Sequence, residues 1–361
     1  MEKALIAMSG GVDSSVAALL MQKYGYDCMG ITMKLFNNST VDIPREHSCC
    51  SLDDIEDARM VCYRLGIPHY VFNFTDNFEE KVIKPFVNSY ISGETPNPCI
   101  ECNRYLKFEK LFQRAEELDC SCVVTGHYSR IEYDDDRKMY LLKKAVDDTK
   151  DQSYVLYFLS QEQLSKIKLP LGGLTKIEAR KLADENDFIN SYKPDSQDIC
   201  FVQNGKYSDF IEHYTGKKSV CGDFLGLDGK NFGKHKGIIR YTIGQRKGLG
   251  ISNPTPLYVC DKDVEKNLVL LGDEKDLYSS EVLVRECSFI TDETFEKETR
   301  IKAKLRYRQK EQWCTALNKG NGLVKLVFDE PQRAVTKGQA AVFYDGDIVL
   351  GGGVITSNGR V

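Results

Sequence analysis

No stretch of the 361-residue chain strings together 18 apolar residues, so a membrane-spanning helix is not expected. The opening, MEKALIAMSGG, has no long apolar core, no arginine-rich leader and no small-residue cleavage site, and the chain reads as cytoplasmic. Without an oxidising destination, a disulfide framework is not expected despite thirteen cysteines. Catalytic, metal-binding or plain buried thiols are the candidates instead. A surplus of positive charge is also missing: the net charge of −4 excludes a chain that is basic all over, though not a local basic surface. Internal repeats and low-complexity tracts are absent, which leaves two or three ordinary globular domains for this length.

What is present changes character along the chain. Up to about residue 130, strand-like and helix-like patterns alternate: ALIAM, then SSVAALLMQKYG, then CMGITMKLF. Ser51 is placed to cap a helix through DDIEDARMVCYRLG, with Asp54 in the capping-box position. IPHYVFNF returns as a strand, EEKVIKPFVNSYI and LKFEKLFQRAEELD read as helices, and CVVTGHY closes the series. Such alternation predicts a parallel sheet covered by helices, with ligands beyond the carboxyl ends of its strands. Residues 150–200 read as mostly helical, with Thr175 and Glu178 in a second capping box. After about residue 205 glycine becomes dense and short alternating strands follow, which predicts a small barrel or sandwich. The expected division is an α/β domain at 1–205, a small central domain at 206–275 and a β-barrel-like domain at 276–361.

The sharpest signal is ALIAMSGGVDSSVAALL, in which a strand runs into Ser9-Gly10-Gly11-Val12-Asp13-Ser14 and a helix starts at once. Glycines let the backbone approach an anion closely, and a helix N-terminus offers unpaired N–H groups and a positive dipole end. The Ser9 and Ser14 hydroxyls add donors, and Asp13 is suited to holding a magnesium ion on the phosphates. The GxxxxGK[ST] pattern is absent, and with it the lysine that serves the β/γ-phosphates in P-loop enzymes. The bland alternative is a tight strand–helix turn capped by serine. The segment resembles the pyrophosphate loop of the N-type ATP pyrophosphatases, whose fold is adenine nucleotide alpha hydrolase-like. They cleave ATP between the α and β phosphates, adenylate an oxygen and let a nucleophile displace AMP. The resemblance implies an ATP site at Ala7, Met8, Ser9, Gly10, Gly11, Val12, Asp13 and Ser14, with Asp13 catalytic and Mg2+ as companion. It leaves the substrate open.

Further motifs narrow it. TPNPCIECN (95–103), TGHYSR (125–130), KDQSYVL (150–156), DSQDICF (195–201) and YTIGQRKGLG (241–250) follow in order, together with CCSLDDIEDAR at 49–59. They resemble the tRNA-specific 2-thiouridylase family over nearly the whole chain. The resemblance implies Cys102 as nucleophile and Cys200 as the carrier of a persulfide sulfur. It also implies adenosine contacts at Met33 and Gly126, and tRNA contacts at His127, Lys150, Asp151, Gln152, Arg306, Tyr307 and Gln339. Acceptors would be the wobble uridines of Lys, Glu and Gln tRNAs, and sulfur would come from a cysteine desulfurase or a sulfur-relay protein.

Cys99 departs from the aspartate that many family members carry at that place. With Cys99, Cys102 and Cys200 converging, three thiolates could hold a [4Fe-4S] cluster instead of running a persulfide relay. A zinc site lacks a second pair at zinc-finger spacing. Cys49 and Cys50, with His47 nearby, remain open between a structural role and metal binding.

RIKAKLRYRQK at 300–310 supplies RNA-binding charge of its own. Arg300, Lys302, Lys304, Arg306, Arg308 and Lys310 occupy every second position without an acid, and on a strand all would share one face. A solvated charged strand is the plain reading. Residues 230–247 add Lys230, Lys234, Lys236, Arg240, Arg246 and Lys247. Two competing functions remain: an amidating ATP pyrophosphatase, in which the thiols would be idle, and a non-catalytic metal-binding RNA-binding module.

Overall fold

In the computed structural model, which describes residues 1–36, 52–195, 199–202 and 206–357, the apolar run KALIA forms β1 (Lys3–Ala7). Its interior residues are fully buried, and α1 (Val12–Lys23) follows at once. The small and apolar residues of VDSSVAALLMQK let α1 bury most of its circumference, and Gly25, at φ +86°, turns the chain out of it. β2 (Asp27–Lys34), α2 (Leu52–Leu65), β3 (His69–Asn73) and β4 (Cys122–Val124) continue the alternation. The expected Ser51 cap, Cys49, Cys50 and His47 lie outside the described residues.

The strands make the parallel sheet that the alternation predicts. Its order is β3-β2-β1-β4-β7, with β7 at Ile167–Lys168. The doubly wound α/β class is therefore the observed one. A hairpin of β5 (Arg130–Asp134) and β6 (Met139–Lys143) is inserted after β4. Residues 150–200 hold less helix than their composition promises: a 3₁₀ turn at Ser153–Val155, a helix at Gln161–Lys166, and α3 (Lys176–Glu185). Pro170, Gly172, Gly173 and Pro194 break the rest. The Thr175–Glu178 capping box at the start of α3 is present as expected.

The structure divides into two units. The first comprises Met1–Ile83, Pro98–Gly205 and Asp347–Val349; the second comprises Lys84–Asn97, Lys206–Gly346 and Leu350–Val361. In the second unit β8 (Gly222–Gly226), β9 (Asn231–His235), β10 (Tyr258–Asp263) and β11 (Leu268–Gly272) form a small sheet in the order β10-β11-β8-β9. Its core is built on Phe224, Tyr241, Val259 and Leu271. An antiparallel barrel follows from β12 (Tyr278–Phe289), β13 (Thr299–Lys304), β14 (Gln312–Gly320), β15 (Leu323–Arg333), β16 (Ala340–Asp345) and β17 (Ile348–Ser357). Their order is β12-β15-β14-β13-β16-β17, and β12 pairs with β17 to close the barrel.

The segment 84–97 precedes the cysteine motif yet packs within the second unit. Phe86 meets Phe210 at 6.2 Å, and Tyr90 stacks on Tyr207 at 5.9 Å. Thr95 N donates to Lys337 O (2.8 Å) and Gln339 Nε2 to Thr95 O (2.7 Å), while Arg285 pairs with Glu94 (3.3 Å).

Candidate functional site

The loop between β1 and α1 is braced rather than capped. Gly10 sits at φ +72°, and a Cβ there would lie 2.4 Å from the Asp54 carbonyl oxygen, so only glycine fits. Ser14 Oγ accepts from Ser9 N (3.1 Å) and donates to Gly11 O (3.0 Å). The buried Asn190 amide donates to Gly10 O and to Ser15 Oγ, both at 3.0 Å. Gly11 is the N-cap of α1, and no described side chain caps that terminus. The serines thus tie the loop together and leave the first-turn N–H groups for an anion.

Gly126 closes the loop from the other side. A Cβ on it would stand 2.7 Å from the Asp13 carbonyl carbon and 2.8 Å from Ser14 N. The backbone of TGHY after β4 therefore lies directly against the start of α1. Met33, near the end of β2, pairs in register with Phe72 of β3.

Asp13 is the hub of a charged cluster that the loop sequence does not announce. Its two oxygens accept from Lys176 Nζ at 2.7 and 2.9 Å, and Oδ1 also accepts from the Tyr128 hydroxyl at 2.8 Å. Lys176, the buried first residue of α3, pairs in turn with Asp195 (2.8 Å). Asp195 also takes Lys150 and Arg180, each at 2.8 Å. Burial works to raise the Asp195 carboxyl, but hydrogen bonds from Lys150 and Lys176 outweigh it and hold it at about 2. Burial and the Asp13 charge push the Tyr128 phenol up, which keeps it a neutral donor. Lys176 thus brings a cation beside the SGGVDS loop, which carries none of its own.

The residues expected at tRNA in this unit are engaged internally. Besides Lys150, Asp151 accepts from Ala145 N (3.2 Å), Ser153 N (3.1 Å) and Ser153 Oγ (2.9 Å). Gln152 exchanges two hydrogen bonds with the Tyr128 backbone. His127 is 6% exposed, shares a 2.7 Å hydrogen bond with Thr125 and lies against the Phe108 ring. Burial, then the Lys107 charge, push its imidazole well below the usual range, so it is neutral.

Cys99 is exposed, whereas Cys102 and Cys200 are half-buried, all held as thiols. Cys102 opens a π-helical stretch, Cys102–Lys110, a geometry frequent at functional sites. The stretch is pinned by Asn103, whose amide donates to Val155 O (3.1 Å), and by the buried Leu106 and Phe108. Cys200 sits in a turn closed by Val202 N donating to Ile199 O (3.0 Å), and buried Phe201 anchors it edge-on to Phe78 (5.6 Å). Among the described residues no three His, Cys, Asp or Glu side chains gather to hold a metal.

In the second unit the expected comb of six cations is broken. β13 ends at Lys304, so Arg300, Lys302 and Lys304 share the outer face while Ile301 and Ala303 are buried. At Arg306 the chain has left the strand, and the guanidinium donates to Ala334 O (2.6 Å) and Thr336 Oγ1 (2.7 Å). Tyr307 is 37% exposed, with Lys304 Nζ 5.9 Å from its ring centre. Gln339 holds Thr95, as described above.

The chain is similar to known proteins over nearly its whole length. Family models described as tRNA methyl transferase HUP domain, tRNA methyl transferase PRC-barrel domain and aminomethyltransferase beta-barrel domain match residues 2–204, 208–273 and 279–355. The chain is 48% identical over 354 residues to the tRNA-specific 2-thiouridylase MnmA of Clostridioides difficile, covering 98% of each. It is 50% identical to tRNA-specific 2-thiouridylase MnmA 2 of Caldanaerobacter subterraneus, covering 98% of this chain and 97% of that one. A 4-thiouridine synthetase–RNA complex with bound ATP aligns at TM-score 0.38 and 20% identity, covering 59% of this chain and 50% of that one.

Proposed function

The chain belongs to the tRNA-specific 2-thiouridylase family, and from that membership we propose that it replaces the C2 oxygen of the tRNA wobble uridine by sulfur. It is an enzyme of the sulfurtransferase class, working on tRNA with ATP. The observation that carries the reading is the uncapped start of α1 beside Lys176, on a sheet whose unit also carries the half-buried thiols Cys102 and Cys200.

ATP places its phosphates on the first-turn N–H groups of α1, with its adenosine by Met33 and Gly126. Phosphate oxygens compete with Asp13 for Lys176, which moves a cation onto the charge that develops as pyrophosphate leaves. Mg2+ would come bound chiefly by phosphates and water, with Asp13 as a protein ligand once Lys176 has turned away. The uridine C2 oxygen takes the adenylyl group, so the poor leaving group oxide departs later as AMP. The terminal sulfur of a Cys200 persulfide then attacks C2 and expels AMP. The Cys102 thiolate attacks Cys200 Sγ, which forms a Cys102–Cys200 disulfide and releases the 2-thiouridine. A thiol reductant resets the pair, and a sulfur donor protein such as a cysteine desulfurase or relay protein reloads Cys200. Acceptors are the tRNAs of the Lys, Glu and Gln type. The thiols have no task in an amidating enzyme.

The test is single-turnover thiolation with persulfide-loaded protein, unmodified tRNA and ATP, read as AMP release and 2-thiouridine formed. Cys200→Ser should abolish thiouridine while still consuming ATP to form adenylated tRNA. Cys102→Ser should halt at a tRNA–Cys200 perthio adduct. Cys99→Ala should keep measurable thiolation without iron. Loss of all thiolation in Cys99→Ala, with iron in the wild type, would favour the cluster.

A further inference from the structure

We propose that Trp313, flanked by Arg300 and Lys302, is a stacking contact for a nucleotide of the bound tRNA, on the outer face of the barrel. The proposal rests on the tRNA reading above and adds to it a specific contact outside the residues that the family resemblance implies.

Four observations converge there. Trp313 is the chain's single tryptophan and is 49% exposed. Its outward position is set by register, because the next strand positions alternate with Cys314 and Ala316 buried, so a one-residue slip would empty the core face. Lys302 lies directly across from it on β13, with Nζ 5.1 Å from the ring, and the Arg300 guanidinium stands 5.4 Å away. Lys304 continues the same cationic face. An exposed indole ringed by cations is the combination that single-stranded or looped nucleic acid uses: the ring stacks on a base and the cations take its phosphates. Stacking tolerates any base, so such a contact positions the substrate without selecting it.

One carboxylate intrudes. Arg300 is paired with Asp329 through both of its terminal nitrogens. In this geometry Asp329 is the stand-in that a phosphate displaces, which gives the proposal a sign that simple surface packing would not share. Removing Asp329 should tighten RNA binding, whereas removing Trp313 should weaken it.

A single tryptophan makes the wild-type protein its own probe. Acrylamide quenching of its fluorescence is measured with and without a saturating unmodified tRNA transcript, saturation being established separately by filter retention. The expected result is a marked fall in quenching on binding. Trp313→Ala should weaken retention about tenfold, Trp313→Phe much less, and Asp329→Asn should strengthen it. A Trp313 as open to acrylamide in the saturated complex as in the free protein overturns the proposal, as does wild-type affinity in Trp313→Ala. Tight retention with normal thiolation but no protection sinks the stacking contact alone. No tRNA retention by the wild type overturns the functional reading and this proposal with it.

Discussion

Asp13 and Lys176 stand 163 residues apart in sequence and 2.7 Å apart in space. The aspartate is legible, because a serine–glycine–glycine turn between a strand and a helix is a local pattern with a local reason. The lysine is not, because nothing in TKIEARK separates a lysine that opens a buried helix from one on a solvated face. Tyr128, Asp195 and Asn190 escape sequence reading for the same cause: each acts through a partner supplied by tertiary packing. Residue chemistry nevertheless makes a sharp expectation. Lys176→Met preserves the aliphatic stem and removes the charge, so tRNA-dependent AMP formation should fall by about 10²–10³-fold. ATP binding should weaken much less, because the α1 backbone remains. Turnover near the wild-type rate, measured with labelled ATP, would show that Lys176 only neutralises Asp13.

Elements were legible where one period ran unbroken and misleading where punctuation intervened. The parallel strands announce themselves as short apolar runs, and the Thr175 box marks the start of α3. The basic comb had a strand's period over residues 300–310, yet the strand stops at Lys304 because Leu305 turns into the core and Arg306 is claimed by the 334–336 backbone and hydroxyl. The π-helical turn at Cys102 left no mark in the sequence, and its Asn103 bonds Val155 O, 52 residues away. Contacts between element ends can be tested by adding a single methyl. Gly126→Ala puts a Cβ 2.7 Å from a backbone carbonyl carbon of α1, which no side-chain rotation relieves. The expected cost is about 1–3 kcal/mol of stability, with ATP binding lost more steeply as the loop is pushed off α1. Thermal unfolding and nucleotide titration on the same preparation separate the two effects. An unchanged nucleotide affinity would show that the loop after β4 does not shape the ATP site.

For the whole molecule, the chain's path matters more than its domain count. The composition changes near residue 205, but composition is blind to a segment that leaves one unit and returns. Residues 84–97 carry the helical pattern of their neighbours but bury Phe86, Val87 and Tyr90 in the second unit and bind it through Thr95 and Glu94. Pro98 then re-enters the first unit, one residue ahead of Cys99. A protein cut at residue 205 would retain this segment without Phe210, Tyr207, Lys337, Gln339 and Arg285. Losing the burial of each large apolar side chain costs about 1.5–3 kcal/mol, which is a large share of an ordinary domain's stability. The truncated chain should therefore bind a hydrophobic dye, associate, and digest with protease within residues 84–97 before the parallel sheet is attacked. Supplying residues 206–361 as a separate polypeptide should restore protection of that segment. A truncated chain that stays monomeric and protects this segment unaided would show that residues 84–97 do not depend on the rest of the second unit.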